Sequence, residues 1–289
     1  MILAKIAIDG DRRPPRTHLL ASGSGWSVTD VVCDAGPRDR PFEEQHRWSS
    51  IAVVVSGTFQ YRSSSGEGLM VPGSLLLGNA RDGFVCAHEH GTGDRCVAFG
   101  YSPDLLARLG EDLGVGHRRF GAPRLPPSRV LAPFVAAAST LLAGDRPEAL
   151  ACEAVSLQLA ARVMEIDGDL GPRLPRNEPA SAVKRVTDIV RLIDREGDAS
   201  RTLTLRALAD AAGLSPYHFL RSFRAITGTT PHQYILRARL RRAAVRLRVE
   251  DPRTRILDIA LDCGFDDLSN FNRAFRAEFE QSPRRYRLG

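Results

Sequence analysis

The chain has 289 residues, of which 43% are hydrophobic and 26% charged, with a formal net charge of +6; this suits about two domains of ordinary globular composition, and nothing in it argues for disorder. No run of about 18 apolar residues is present to span a membrane, and the opening MILAKIAIDGDRRPPR lacks the basic-then-apolar layout of a signal peptide, so a cytoplasmic protein with no membrane partner is expected. The five cysteines, Cys33, Cys86, Cys96, Cys152 and Cys263, are odd in number and scattered, unlike a disulfide framework.

The first part of the chain reads as β. WSVTDVVC (26–33), SSIAVVVSGTFQYR (49–62), GLMVPGSLLLG (68–78) and DRCVAFGYS (94–102) are short, rich in Val, Phe and Tyr, and punctuated by Gly, Pro and Ser. This spacing predicts a small antiparallel β-barrel or jelly roll over residues 1–125. Within it, FVCAHEHGTGDRC carries a cluster suited to chemistry. Strand alternation puts Cys86, His88 and His90 on one face, and Cys96 follows across a glycine-containing turn. Cys86, His88, His90 and Cys96 are therefore expected as ligands of zinc or another divalent metal, with His46 as a further ligand. The competing reading is a buried apolar cysteine beside exposed hairpin histidines.

GAPRLPPSR (121–129) breaks the β region from a helical one. Between Arg129 and Ile166 apolar residues recur at helical spacing, Leu131, Phe134, Val135, Leu141 and Leu142, then Val155, Leu159 and Val163, interrupted by AGDRP. Residues 126–166 are thus expected to form a helical hairpin that serves dimerisation, although its stripes alone fit either the core or a second subunit. DGDLGPRLPRNEPA supplies a linker over 167–180. Beyond it, residues 181–289 hold 21 Lys+Arg against 13 Asp+Glu, whereas residues 1–180 hold 19 against 21. The C-terminal part is the basic one, as a phosphate-binding module would be.

That basic part is written twice. GLSPYHFLRSFRAITG (213–228) returns as GFDDLSNFNRAFRAEF (264–279). Leu208-Ala209 match Ile259-Ala260 and Gly213 matches Gly264; Phe219, Arg221, Phe223, Arg224, Pro231 and Tyr234 then match Phe271, Arg273, Phe275, Arg276, Pro283 and Tyr286. Each copy shows an apolar stripe, a glycine for a tight turn of positive φ, an N-cap (Ser215; Asp266 or Asp267) and a second stripe, which is a helix-turn-helix. The second helices turn outward Tyr217, His218, Arg221 and Arg224 in one copy and Ser269, Asn272, Arg273 and Arg276 in the other, residue types that contact bases and phosphates. A connecting helix from Pro231 to about Val249 would span about 28 Å, close to the ~34 Å between successive major grooves on one DNA face.

The text LADAAGLSPYHFLRSFRAITGTTPHQYILRARL and ILDIALDCGFDDLSNFNRAFRAEFEQSPRRYR resembles the DNA-binding domain of AraC/XylS-type transcriptional regulators, and VVSGTFQYR with MVPGSLLLGN resembles the cupin-like sensor half of many such proteins. The resemblance implies an α+β chain: a cupin-like antiparallel barrel with flanking helices, then an all-α domain of two helix-turn-helix units joined by a long helix. It implies base contacts from Tyr217, Leu220 and Arg221 and from Leu268, Ser269, Asn270, Asn272 and Arg273. Double-stranded DNA, a small-molecule or metal effector, RNA polymerase and a second copy of the chain are the implied partners. An activator without enzymatic activity is expected; the alternative is a metal-dependent cupin enzyme with an accessory DNA-binding domain. Two departures stand out. Glu280 occupies a place where the family often has glycine, and Leu220 offers a base no hydrogen bond.

Overall fold

The computed structural model describes residues 15–41, 43–115, 119–143, 147–169, 178–196 and 203–288. The opening segment through residue 14 and the middle of the proline-rich linker, residues 170–177, lie outside the described residues. The chain divides into two units. Unit 1 takes the described residues up to Leu125 and those from residue 147 to Glu178; unit 2 takes Pro126–Ala143 and the described residues from Pro179 onward.

Unit 1 contains β1 (Arg16–Gly23), β2 (Trp26–Cys33), β3 (Glu43–Gln45), β4 (Ser49–Gly57), β5 (Phe59–Ser63), β6 (Gly66–Met70), β7 (Leu75–Gly78), β8 (Gly83–Ala87), β9 (Asp94–Tyr101) and β10 (Arg124–Leu125). They form two antiparallel sheets, ordered β1-β2-β9-β4-β7-β10 and β3-β8-β5-β6. The run expected as one strand over 49–62 splits at Gly57, whose φ of +78° suits glycine. A Cβ there would sit 2.3 Å from the Gly93 carbonyl oxygen, so the close approach to β9 also needs glycine. The chain then passes into the second sheet as β5. Ala52, Val54, Leu76 and Cys96 of the first sheet pack with Phe59, Tyr61, Met70 and Phe84 of the second.

The expected barrel does not close. The first sheet ends at β1 and β10 and the second at β3 and β6; β3 and β10, at three and two residues, are too short to carry pairing round. Two helices, α1 (Pro103–Asp112) and α3 (Ala149–Asp169), complete unit 1. α3 packs on β1, β2 and α1. Tyr101 Oη donates to the Ser156 carbonyl at 2.8 Å and Trp26 Nε1 to the Glu153 carboxylate at 3.2 Å.

The two helices expected as a hairpin over 126–166 fall in different units. The first, α2 (Ala132–Leu141), belongs to unit 2, whereas α3 belongs to unit 1. Helical periodicity marks a face that will be buried but not its partner. Ala136, fully buried, lies in one cluster with Leu240, Ala243 and Ala244, and such small side chains let two helices approach closely.

The rest of unit 2 is helical: α4 (Ala180–Glu196), α5 (Leu205–Ala211), α6 (Pro216–Thr227), α7 (Pro231–Val249), α8 (Ile256–Asp262), α9 (Leu268–Phe279) and α10 (Pro283–Leu288). The two copies reproduce each other's packing. Phe219–Phe223 and Phe271–Phe275 ring centroids lie 5.6 and 5.4 Å apart, while Phe223–Tyr234 and Phe275–Tyr286 meet edge-on at 5.8 and 5.3 Å. The fifty-two-residue repeat is thus a repeated aromatic core, in geometries that add to simple area burial.

Helix ends follow the sequence signals. Ser215 and Asp267 cap α6 and α9, accepting from the His218 and Asn270 amides at 3.4 and 2.7 Å. Gly213 and Gly264 take φ of +64° and +85° in the turns. α6 ends at Gly228 with φ +80°, and at the equivalent end of α9 stands Glu280 with φ +61°. A side chain in the left-handed region costs about 1–2 kcal/mol where glycine costs little. Glu280→Gly is therefore expected to stabilise the chain by about 1 kcal/mol, read as a higher midpoint in urea unfolding; an unchanged or lower midpoint contradicts the strain assigned to this position.

Candidate nucleic-acid interface

The second helix of each helix-turn-helix unit, α6 and α9, buries its phenylalanines and turns the opposite face to solvent. On α6, Tyr217 is 69% exposed, and His218, Arg221 and Arg224 are also exposed. On α9, Leu268, Ser269, Asn270 and Arg273 are exposed, while Leu220 and Asn272 are half-buried. The arrangement follows from 3.6-residue periodicity: with Phe219 and Phe223 inward, positions 217, 221 and 224 fall on the outer face. Some side chains are already oriented. Arg273 Nη2 donates to Asn270 Oδ1 at 3.3 Å, and His218 Nδ1 lies 3.1 Å from Ser215 Oγ.

Between the two helix-turn-helix units, within unit 2, runs a groove of about 570 Å³. Leu220 and Asn270 line it, together with His232 and Arg239 of α7. His232, Ile235, Leu236 and Arg239 stand at i, i+3, i+4 and i+7, one face of the connecting helix. Sequence reasoning treated α7 only as a spacer and missed His232 and Arg239; the heptad spacing of polar groups on the connector was the available signal. Gly264 fits tightly over Arg239, since a Cβ there would meet its Nε at 2.9 Å.

An outward guanidinium presents a planar fork of donors that matches two acceptors on a guanine edge, and exposed arginines also pair with phosphate. Nineteen residues of α7 make a helix of about 28 Å. Two exposed, matched helices held by such a connector are suited to enter successive grooves of one duplex.

The metal ligands expected in unit 1 are only partly brought together. β8 ends at Ala87, so His88 follows the strand and His90 falls in a turn where alternation no longer holds. His90 lies 3.9 Å from the Glu89 carboxylate, Cys86 is half-buried in β8, and Cys96 is buried with its Sγ 3.4 Å from Asp94 Oδ2. Among the described residues the group with metal-ligand spacing is Cys33, His88 and Asp94, whose ligand atoms all lie within 4.8 Å of one another. Of the expected four, His88 alone belongs to it. Burial opposes protonation of His88, but the Asp94 carboxylate and the Cys33 thiol hold its pKa up to about 9. His46 is engaged elsewhere: its ring nitrogens lie 3.1 Å from Tyr61 Oη and 3.2 Å from Ser50 Oγ, and it stacks on Phe84 at 4.1 Å. Burial lowers its pKa to about 4.

Residues 208–289 match the helix-turn-helix domain family. Regulatory protein SoxS of Escherichia coli strain K12 is 37% identical over 105 residues, 36% of this chain and 94% of SoxS. Transcriptional regulator Rob of Salmonella typhimurium is 42% identical over 96 residues, 33% of this chain; the chain spans about a third of Rob, 32% of its length. The uncharacterized HTH-type transcriptional regulator YbfI of Bacillus subtilis is 27% identical over 228 residues, 78% of this chain and 79% of YbfI.

Proposed function

The chain belongs to the AraC family of helix-turn-helix transcriptional regulators, and from that premise we propose that it binds promoter DNA sequence-specifically through α6 and α9 and is governed by a signal received in unit 1. The observation that carries the proposal is the duplicated surface: two capped helices with the same aromatic anchoring, each turning outward an arginine at the matched place, Arg221 and Arg273. Double-stranded DNA is the partner this surface fits.

The cupin-like character of unit 1 is supported by its two antiparallel sheets around one core. Association with a second copy is supported by exposed apolar residues on unit 1, Leu150 of α3 at 69% and Leu19 of β1 at 46%. RNA polymerase is the partner that regulation of transcription requires. Among the described residues no helix is long and apolar enough to cross a membrane. The alternative of a metal-dependent cupin enzyme draws no support from the relatives, which are named as regulators.

The test is a selection of the full chain against random duplex DNA at low salt, followed by affinity measurements on the recovered site across a salt series. A site with two conserved blocks about one helical turn apart is expected, with log affinity falling linearly in log salt at about 0.9 per phosphate neutralised. Recovery of no preferred sequence, or an affinity flat in salt, would overturn the reading.

A further inference from the structure

Three strand ends of unit 1 converge on one group of donors. Cys33 closes β2 and Asp94 opens β9, and the two are register partners in the antiparallel ladder, so they lie side by side. His88 follows the end of β8 in the other sheet. The His88 and Asp94 side chains are 3% and 7% exposed and lie 2.5 Å apart. Phe59 walls the histidine, its ring centroid 5.9 Å away. The Cys96 thiol donates to the other carboxylate oxygen of Asp94 at 3.4 Å, which fixes that carboxylate's orientation as an outer partner does for a metal ligand.

We propose that this end of unit 1 binds one thiophilic divalent cation of the zinc class through Cys33 Sγ, a ring nitrogen of His88 and a carboxylate oxygen of Asp94. A thiol, an imidazole and a carboxylate are the donor types zinc takes, and three protein ligands leave a fourth tetrahedral position for water or an added ligand. The three donors already lie within 4.8 Å of one another. The His88–Asp94 pair needs little movement. With bonds of about 2.0–2.1 Å, two tetrahedral N and O ligands stand roughly 3.3 Å apart, so the His88–Asp94 pair must open by under about 1 Å. The proton shared by that pair occupies the place the cation takes. Binding M²⁺ releases that proton and the Cys33 thiol proton, leaving thiolate, neutral imidazole and carboxylate on the metal.

A buried ion pair alone would also explain His88 with Asp94. The third donor favours the metal reading: an ion pair needs only His88 and Asp94, whereas a soft sulfur aligned by strand register with the carboxylate completes a zinc-type set. The proposal stands on unit 1 alone and is independent of the DNA-binding reading, because its test contains no DNA.

The test uses the full chain, stripped with chelator and titrated with Co²⁺, whose tetrahedral thiolate complexes absorb in the visible with a sulfur-to-metal band in the near ultraviolet. Saturation at one equivalent with both features, and displacement by one equivalent of Zn²⁺, is expected. Cys33→Ser and His88→Gln should each weaken binding by more than the ~10–100-fold that loss of an outer partner costs. Cys86→Ser and His90→Gln, outside the set, should leave it within a few-fold. The wild-type spectrum stands even if a variant fails to fold. An unsaturable titration, or a six-coordinate spectrum lacking the sulfur band, overturns the site. So does loss of the signal in Cys86→Ser and His90→Gln with retention in Cys33→Ser.

Discussion

Arg237→Ala is expected to destabilise unit 2 by about 3 kcal/mol, within the ~3–5 kcal/mol range for breaking a buried charge pair but at its low end, because Arg237 keeps part of its side chain in water. Its Nε lies 3.2 Å from Glu278 Oε1, and its Nη1 donates to the Pro127 carbonyl and to Thr229 Oγ1, each at 3.1 Å. One guanidinium therefore ties together α9, the corner between α6 and α7, and the segment that leads into α2. The side chains of Arg237 and Glu278 are 19% and 9% exposed. Removing the cation leaves a desolvated carboxylate facing only more distant arginines.

The variant also carries a pH signature. Burial raises the Glu278 pKa, against the pull of Arg237, Arg129 and Arg241; without Arg237 it rises further. A carboxylate whose folded pKa exceeds its unfolded value gives most stability below the unfolded pKa, and stability is lost as pH rises through the folded one. The deficit of Arg237→Ala relative to wild type should thus shrink as pH falls toward about 4. Arg237→Met combined with Glu278→Leu should recover most of the loss, since an apolar pair removes both charges. Urea midpoints across pH decide this, and a deficit below about 1 kcal/mol or independent of pH would show that the pair is dispensable.

How much of this was legible in the sequence depends on the distance over which each feature is determined. β2 over 26–33 and α7 from Pro231 to Val249 stand where the text puts them, because a short Val-rich run bounded by turn residues and a long run of helix-forming residues are local signals. The repeat exposed the aromatic core because both copies had to solve the same packing problem. The partner of α2 was not legible for a non-local reason: its stripe of Val135, Ala136, Ala138 and Leu141 fits any apolar groove, and only α7, about a hundred residues later, shows which. Cys33 could not be linked to His88 from the text, since the β2–β9 register sets Cys33 beside Asp94 and the contact of His88 with Asp94 comes from the other sheet. Strand closure fails likewise, being settled by the lengths of the edge strands β3 and β10.

Arg221→Ala and Arg273→Ala are expected to relax base preference in two different blocks of the recognised DNA, each by roughly 1–3 kcal/mol of discrimination, about 5- to 150-fold. Both arginines are exposed, and both stand two positions after an inward phenylalanine, Phe219 and Phe271, so each helix presents its guanidinium from the same place. The frames differ in one respect. Arg273 donates to Asn270 across one turn of α9, while among the described residues Arg221 makes no such bond along α6. The pre-oriented fork of Arg273 loses less side-chain freedom on binding, so the larger loss of discrimination is expected at its block. Arg224→Ala, as a phosphate-type control, should weaken all sequences alike and reduce the salt slope by about one contact. Affinities over a complete set of single-base operator variants read these outcomes directly. If Arg221→Ala and Arg273→Ala affect the same base pairs, or both lower affinity uniformly, α6 and α9 do not read separate grooves, and the repeated surface then serves attachment to the backbone alone.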